Sequence, residues 1–173
     1  MVLGLFLRAF RQRASSILLL SAAMSIEIHT DEYYMRQALA EARLAYEAGE
    51  VPVGAVVVSQ GRIIARAHNL TERLNDVSAH AEMQALTAAA HFIGGKYLTR
   101  CTLYVSLEPC MMCAGALHWA QLSRLVFGAF DPRKGFSTWD KPLLHPKTEW
   151  EGGIMEEESA ALLRDFFAER RKD

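Results

Sequence analysis

Two short stretches of this chain combine residue types that could do chemistry: His80-Ala81-Glu82 and, after twenty-six intervening residues, Pro109-Cys110-Met111-Met112-Cys113. An imidazole and two thiols are good zinc ligands. A structural zinc is normally closed by four protein ligands, whereas a hydrolytic one keeps three and leaves the fourth position to water. The chain has no second C-x-x-C to complete a zinc ribbon. Three ligands, His80, Cys110 and Cys113, with the nearby carboxylate of Glu82 left over, therefore imply a catalytic metal. Water on such a centre has a pKa of about 7 and is a nucleophile at neutral pH. Glu82 is free to carry its proton to a ring nitrogen and then to a leaving amine. The reaction implied is hydrolytic deamination with release of ammonia.

Positioning these groups requires two helix starts. Cys110 and Cys113 are three residues apart, so they share one face of a helical turn and reach one ion. Pro109 suits the start of that helix, expected over Cys110 to Trp119, and its free N–H groups and dipole favour thiolates. His80 opens another helix, expected over Ala79 to Phe92 and stopped by Gly94-Gly95. Upstream, Thr30 caps a helix that runs to Gly49 with Tyr34, Ala38, Ala42 and Ala45 at helical spacing. Val53 to Ser59 and Arg62 to His68 read as a hairpin about Gln60-Gly61, which Asn69 ends. Leu70 to Val77 is read as a loop. Thr102 to Ser106 and Ser123 to Phe127 are strands, and Asp131 to Thr148, broken by Pro132, Pro142 and Pro146, is a long functional loop. Glu156 to Arg171 forms a last amphipathic helix with Leu162, Leu163, Phe166 and Phe167 toward the core. This order is α/β, with helices on both faces of a sheet.

A chain of 173 residues fits one domain and needs no disulfide staples. Its three cysteines form no disulfide framework, Cys101 reads as a small core residue, and a reducing cytoplasm suits all of them. The formal net charge of −1 leaves no general footprint for nucleic acid, so any RNA contact must be local. Arg164, Arg170, Arg171 and Lys172 read as a basic helix end. Residues 1–23 differ in character: Leu3, Leu5, Phe6 and Phe10 surround Arg8, Arg11 and Arg13, followed by Ile17 to Leu20. They read as an N-terminal extension, disordered or non-native, ahead of a domain spanning residues 24–173. No run reaches the roughly 18 to 20 apolar residues of a membrane span, and no stable membrane association is expected.

With these residues in place, the chain resembles the cytidine deaminase-like superfamily, whose zinc deaminases carry an H-x-E…P-C-x-x-C signature, and within it the bacterial tRNA adenosine deaminases. The resemblance extends from about Tyr33 to Arg171. It is carried by Val51-Pro52-Val53-Gly54-Ala55, Ala79-His80-Ala81-Glu82, Leu103-Tyr104-Val105, Leu107-Glu108-Pro109-Cys110, Met112-Cys113-Ala114-Gly115-Ala116 and Val126-Phe127-Gly128-Ala129. It implies a three-layer α/β/α fold around a mixed five-stranded sheet, one Zn2+ per subunit, a cytoplasmic homodimer, and conversion of adenosine to inosine at the wobble position of a tRNA anticodon stem-loop. It further implies that Asn69 binds the target nucleoside, that Val53 and Leu107 line the base pocket, and that Asp131 lies near a flanking nucleotide. From the residues alone, these four read equally as a turn-capping Asn, two core apolars and an Asp-Pro turn.

The chain departs from that family at Ala120-Gln121, where a basic Ser-Arg pair is common. It departs again at Gly135-Phe136-Ser137 and His145-Pro146-Lys147 in the long loop. Two other functions stay open at this point: a deaminase of a free base or nucleoside, such as guanine, adenine or cytosine, and a zinc-stabilised binding protein without catalysis. Phe136, Trp139, Arg133, Lys134, Lys141 and Lys147 give the long loop the aromatic and basic character that unpaired RNA bases and phosphates need.

Overall fold

The computed structural model describes residues 30–171, and the expected extension over residues 1–23 lies outside them. Helix α1 spans Asp31–Glu47, capped by the Thr30 hydroxyl, which accepts the Tyr33 N–H at 3.2 Å. Strands β1 (Gly54–Ser59) and β2 (Arg62–His68) form an antiparallel hairpin. Its turn residues Gln60 and Gly61 both have positive φ, 51° and 72°, the hand that matches strand twist. The segment expected as a loop contains a short helix, α2 (Thr71–Leu74), followed by α3 (Ala81–Ile93), β3 (Cys101–Leu107), α4 (Met111–Trp119) and β4 (Arg124–Ala129). A 3-10 turn (Phe136–Thr138), strand β5 (Glu149–Gly152) and helix α5 (Glu156–Arg170) complete the order.

The sheet order is β2-β1-β3-β4-β5. β1 is antiparallel to both neighbours, while β3, β4 and β5 run parallel, which makes the five-stranded sheet mixed. Alternation along the strands assigns the two faces. Val57, Leu103, Val105, Leu125 and Phe127 pack with Ala81, Ala85 and Ala89 of α3 and Ala114 and Leu117 of α4. Val56, Val58, Tyr104 and Val126 pack on the other face with Tyr34, Met35, Ala38 and Leu39 of α1. The result is the three-layer α/β/α arrangement, with α3 and α4 side by side on one layer.

Close approach of α1 to β1 depends on Gly54. A Cβ there would lie 2.2 Å from the Ala38 carbonyl oxygen and 2.2 Å from the Ala42 nitrogen. The small residues of α1 thus face the one position of β1 with no side chain. At the strand ends nearer the metal-type residues, the Gly54 N–H donates to Ser106 Oγ at 3.1 Å and ties β1 to β3. On the α1 face, Arg124 makes a two-pronged pair with Asp31 at 2.7 and 2.8 Å and reaches Glu151 on β5 at 2.7 Å. The Tyr104 hydroxyl donates to the same Asp31 carboxylate at 2.7 Å.

One expectation for α5 needs correction. Phe166 is buried, but Phe167 is 42% exposed and Leu162 and Leu163 are only partly covered. The helix lies on the sheet through a narrow stripe that includes Ser159, so four apolar positions cannot all face inward.

Candidate active site

The parallel strand β3 delivers the chain to α4, and the loop after β2 delivers it to α3. Cys110 is the N-cap residue of α4 and His80 the N-cap residue of α3. Two helix N-termini therefore converge, each with N–H groups that no carbonyl of its own helix takes and with the positive end of its dipole. His80 Nδ1 lies 3.5 Å from Cys113 Sγ and 3.8 Å from Cys110 Sγ. All three donor atoms fall within 4.8 Å of one another.

Bond lengths test whether zinc fits. A tetrahedral ion with Zn–S of about 2.3 Å and Zn–N of about 2.0–2.1 Å places its nitrogen and sulfur ligands about 3.6 Å apart. The observed 3.5 and 3.8 Å match that edge. One nitrogen and two sulfurs are also the donor types that zinc takes most readily. The residues present fit the ion with three ligands and no fourth from the protein among the described residues.

The electrostatics favour ligation. Cys110 is pulled down to about 3 by the hydrogen bond it accepts from Cys113, against the effect of burial and with help from His80. The same pairing, together with burial, pushes the Cys113 thiol up. The pairing thus favours the thiolate at Cys110, the form that ligates a metal. The hydrogen bond with Cys110 raises the His80 pKa against desolvation; the charges of Glu82 and Cys110 add to it, and the Lys134 ammonium opposes it.

Glu82, in the first turn of α3, is 3% exposed, and its Oε2 has no hydrogen-bond partner. Burial raises its pKa, while the His80 charge acts in the opposite direction. A buried carboxylate oxygen without a partner is rare, and here it lies beside three metal-type donors. It can accept and return a proton at that position.

The other expected residues surround this centre in different ways. Asn69 is 5% exposed; its Oδ1 accepts the Ala81 N–H at 2.8 Å and its Nδ2 donates to the Val51 carbonyl at 3.0 Å. It fastens the start of α3 to the segment before β1. Val53 is buried in the α3-side core, and Leu107 packs partly covered against the same core at the end of β3. Asp131 accepts the N–H groups of Arg133 and Lys134 at 3.0 and 3.1 Å, an Asx turn.

Two buried carboxylates had no role in the sequence reading. Glu50 is fully buried and accepts from Thr71 Oγ1 at 3.0 Å, the Glu72 N–H at 3.1 Å and the Arg73 N–H at 2.8 Å. Burial works against its ionisation, but these donors outweigh it and hold the carboxyl below its usual range. Glu108 accepts the Asp131 N–H at 3.0 Å and the Ser137 N–H at 2.8 Å. Their available signal was an acid set against apolar neighbours, Glu50-Val51-Pro52-Val53 and Leu107-Glu108-Pro109.

Residues 28–129 match the family model for the cytidine and deoxycytidylate deaminase zinc-binding region. The tRNA-specific adenosine deaminase of Bacillus subtilis is 48% identical over 147 residues, covering 82% of this chain and 91% of that protein. A solved structure from work on A-to-I editing by tRNA:A34 deaminases at the wobble position of transfer RNA superposes with a TM-score of 0.72. It is 44% identical and covers 76% of this chain and 99% of that one. The guanine deaminase of Nitrosomonas europaea is also similar in structure, with a TM-score of 0.68 at 26% identity, covering 79% of this chain and 84% of that one.

Proposed function

The chain belongs to the cytidine and deoxycytidylate deaminase family, among the tRNA-specific adenosine deaminases, and from that membership we propose how its residues convert adenosine to inosine at the wobble position of a tRNA anticodon. His80 Nδ1, Cys110 Sγ and Cys113 Sγ hold one zinc ion, which supplies the Lewis acidity that makes water a nucleophile at neutral pH. Glu82 takes a proton from the attacking water and gives it to the purine ring nitrogen. As the water oxygen bonds to the purine carbon, the carbon–ring nitrogen π bond opens onto that protonated nitrogen; Glu82 then passes the second proton from the oxygen to the amine, the carbon–amine bond breaks as the carbonyl forms, and ammonia departs. Asn69 positions the start of α3 and, through the remaining donor of its amide, the nucleoside. Val53 and Leu107 form the apolar side of the base pocket, and Asp131 stands at a flanking nucleotide.

The observation that carries the reaction is the unpartnered, buried Glu82 Oε2 beside three zinc-type donors. RNA as substrate is supported by the 48% identity over 82% of the chain to a tRNA-specific enzyme, against 26% over 79% to one guanine deaminase and 39% over only 57% to another. The test is to incubate zinc-loaded protein with an anticodon stem-loop bearing adenosine at the wobble position and, separately, with free bases. Inosine in the RNA is expected; ammonia from a free base without inosine in the RNA would reverse the assignment.

We further take residues 24–173 as the catalytic domain and the active form as a cytoplasmic homodimer. Support for the dimer comes from the large apolar side chains left exposed on α3 and α4, among them Phe92 at 67% and Trp119 at 79%. Among the described residues no helix is long and apolar enough to cross a membrane.

A further inference from the structure

The Glu108 carboxylate is 3% exposed and takes no part in the proton transfers above. Both of its oxygens face the loop after β4, Oε2 accepting the Asp131 N–H and Oε1 the Ser137 N–H. Gly135 lies against it so closely that a Cβ would sit 2.2 Å from Glu108 Oε2 and 2.6 Å from the Asp131 carbonyl oxygen. Between the two fastened points the chain folds back on itself, the Gly135 N–H donating to the Asp131 carbonyl at 2.9 Å. Gly135 also forms a β-bridge with Cys110, and the Phe136 N–H donates to the Pro109 carbonyl at 2.9 Å. The turn is thus fixed to the junction that supplies a metal ligand.

What this turn holds out to solvent is Arg133 and Lys134. Both are exposed, and among the described residues neither has a carboxylate within ion-pair distance. Arg66 and Arg164, by contrast, are paired with Glu41 and Glu157. Two cations without ion-pair partners, on a turn whose backbone is held at every N–H from Arg133 to Ser137, are placed for an anionic ligand at the mouth of the metal centre. A polynucleotide backbone supplies that anion next to the base being processed.

We propose that the Asp131–Gly135 turn is a phosphate grip: Arg133 and Lys134, presented by the buried carboxylate of Glu108, neutralise RNA phosphates flanking the target nucleotide. Glu108 is then a positioning residue. The grip depends on RNA being the substrate, and the experiment separates the two ideas.

Binding of the anticodon stem-loop is measured between 50 and 200 mM salt, alongside kcat and KM for inosine formation and the zinc content of each variant. Each phosphate contact on single-stranded nucleic acid contributes a slope of about −0.7 in log affinity against log salt. R133A/K134A should therefore flatten the slope by about 1.4, so that its affinity deficit narrows about seven-fold across that range. The effect should fall on KM more than on kcat, with zinc unchanged. G135A, which displaces the carboxylate without replacing it, and E108Q, which substitutes an N–H for one acceptor, should flatten the slope in the same way. In the E108Q background, removing the two cations should then add little.

A wild-type slope in R133A/K134A overturns the grip, and a wild-type slope in both G135A and E108Q overturns the role of Glu108. If the unaltered protein forms no inosine in the stem-loop yet releases ammonia from a free base, the RNA substrate itself is wrong and the grip falls with it.

Discussion

Replacing Glu82 by Gln separates the chemistry from the metal. The substitution keeps side-chain size and leaves His80, Cys110 and Cys113 untouched, so the zinc content should stay at one ion per chain. Proton transfer by a placed side chain is worth about 10²–10⁴-fold, or about 3–5 kcal/mol of barrier, and E82Q should lose that much in kcat. Stability should move the other way or not at all. The native carboxylate is buried with one oxygen unpartnered, and exchanging it for a neutral amide removes the desolvation cost of a buried charge. A gain of about 1 kcal/mol would raise the melting temperature by about 2–4 °C in a chain of this size. E82D keeps the charge but withdraws it by one carbon–carbon bond, about 1.5 Å, and a displacement of about 1 Å can cost 10²-fold. The assay is single-turnover inosine formation in the stem-loop, with metal content and thermal melts on the same preparations. Activity within ten-fold of the unaltered enzyme at full zinc would remove Glu82 as the proton carrier and favour a protein that only binds. Loss of zinc together with activity would make the carboxylate a ligand and close the three-ligand site.

C110A should lose zinc and stability together, and stripping the unaltered protein with a chelator should lower its melting temperature to a similar value, since the ion holds two helix starts together. N69A leaves the Ala81 N–H without its partner and takes one of two donors from the Val51 carbonyl, which keeps the Val53 N–H at 2.8 Å. A cost of about 1–3 kcal/mol is expected, and a melting temperature equal to that of the unaltered protein would mean that Asn69 serves the substrate alone. R124M should destabilise by about 1–3 kcal/mol near neutral pH, because it strands the half-buried Asp31 carboxylate. The Arg124 guanidinium, against burial and with the Tyr104 hydroxyl assisting, holds the Asp31 pKa below its ordinary value, so the pair's contribution is complete above about pH 4 and lost as pH falls further. Denaturant titrations of both proteins should therefore converge below about pH 4; a gap that persists unchanged at pH 2 would contradict the assignment.

Elements with a buried face were legible in the sequence, and those without one were not. The run Gly54–Ser59 and the alanine-rich α3 announce themselves because their apolar positions follow the strand or helix period. Strand β5 is Glu-Trp-Glu-Gly at the sheet edge with three exposed residues, so no periodicity marks it, and the residues alone supply four strands. Only the family resemblance supplied the fifth. The short α2 buries none of its residues; its N–H groups and the Thr71 hydroxyl are collected by Glu50, twenty-one positions earlier in the chain. Phe167 points outward because a helical hydrophobic stripe sets a direction but not the width of its contact.

The same distinction holds within the site. His80, Glu82, Cys110 and Cys113 are legible because the chemistry itself demands those side chains. Glu50 and Glu108 act on backbone N–H groups, and a backbone donor leaves no trace in residue identity. Glu50, Glu82 and Glu108 all lie inside, and two of them, Glu50 and Glu108, are spent on N–H donors that hold loops in place. A chain of near-zero net charge can therefore hold RNA at a few fixed cations, provided its acids are spent inward to hold the loops on which those cations stand.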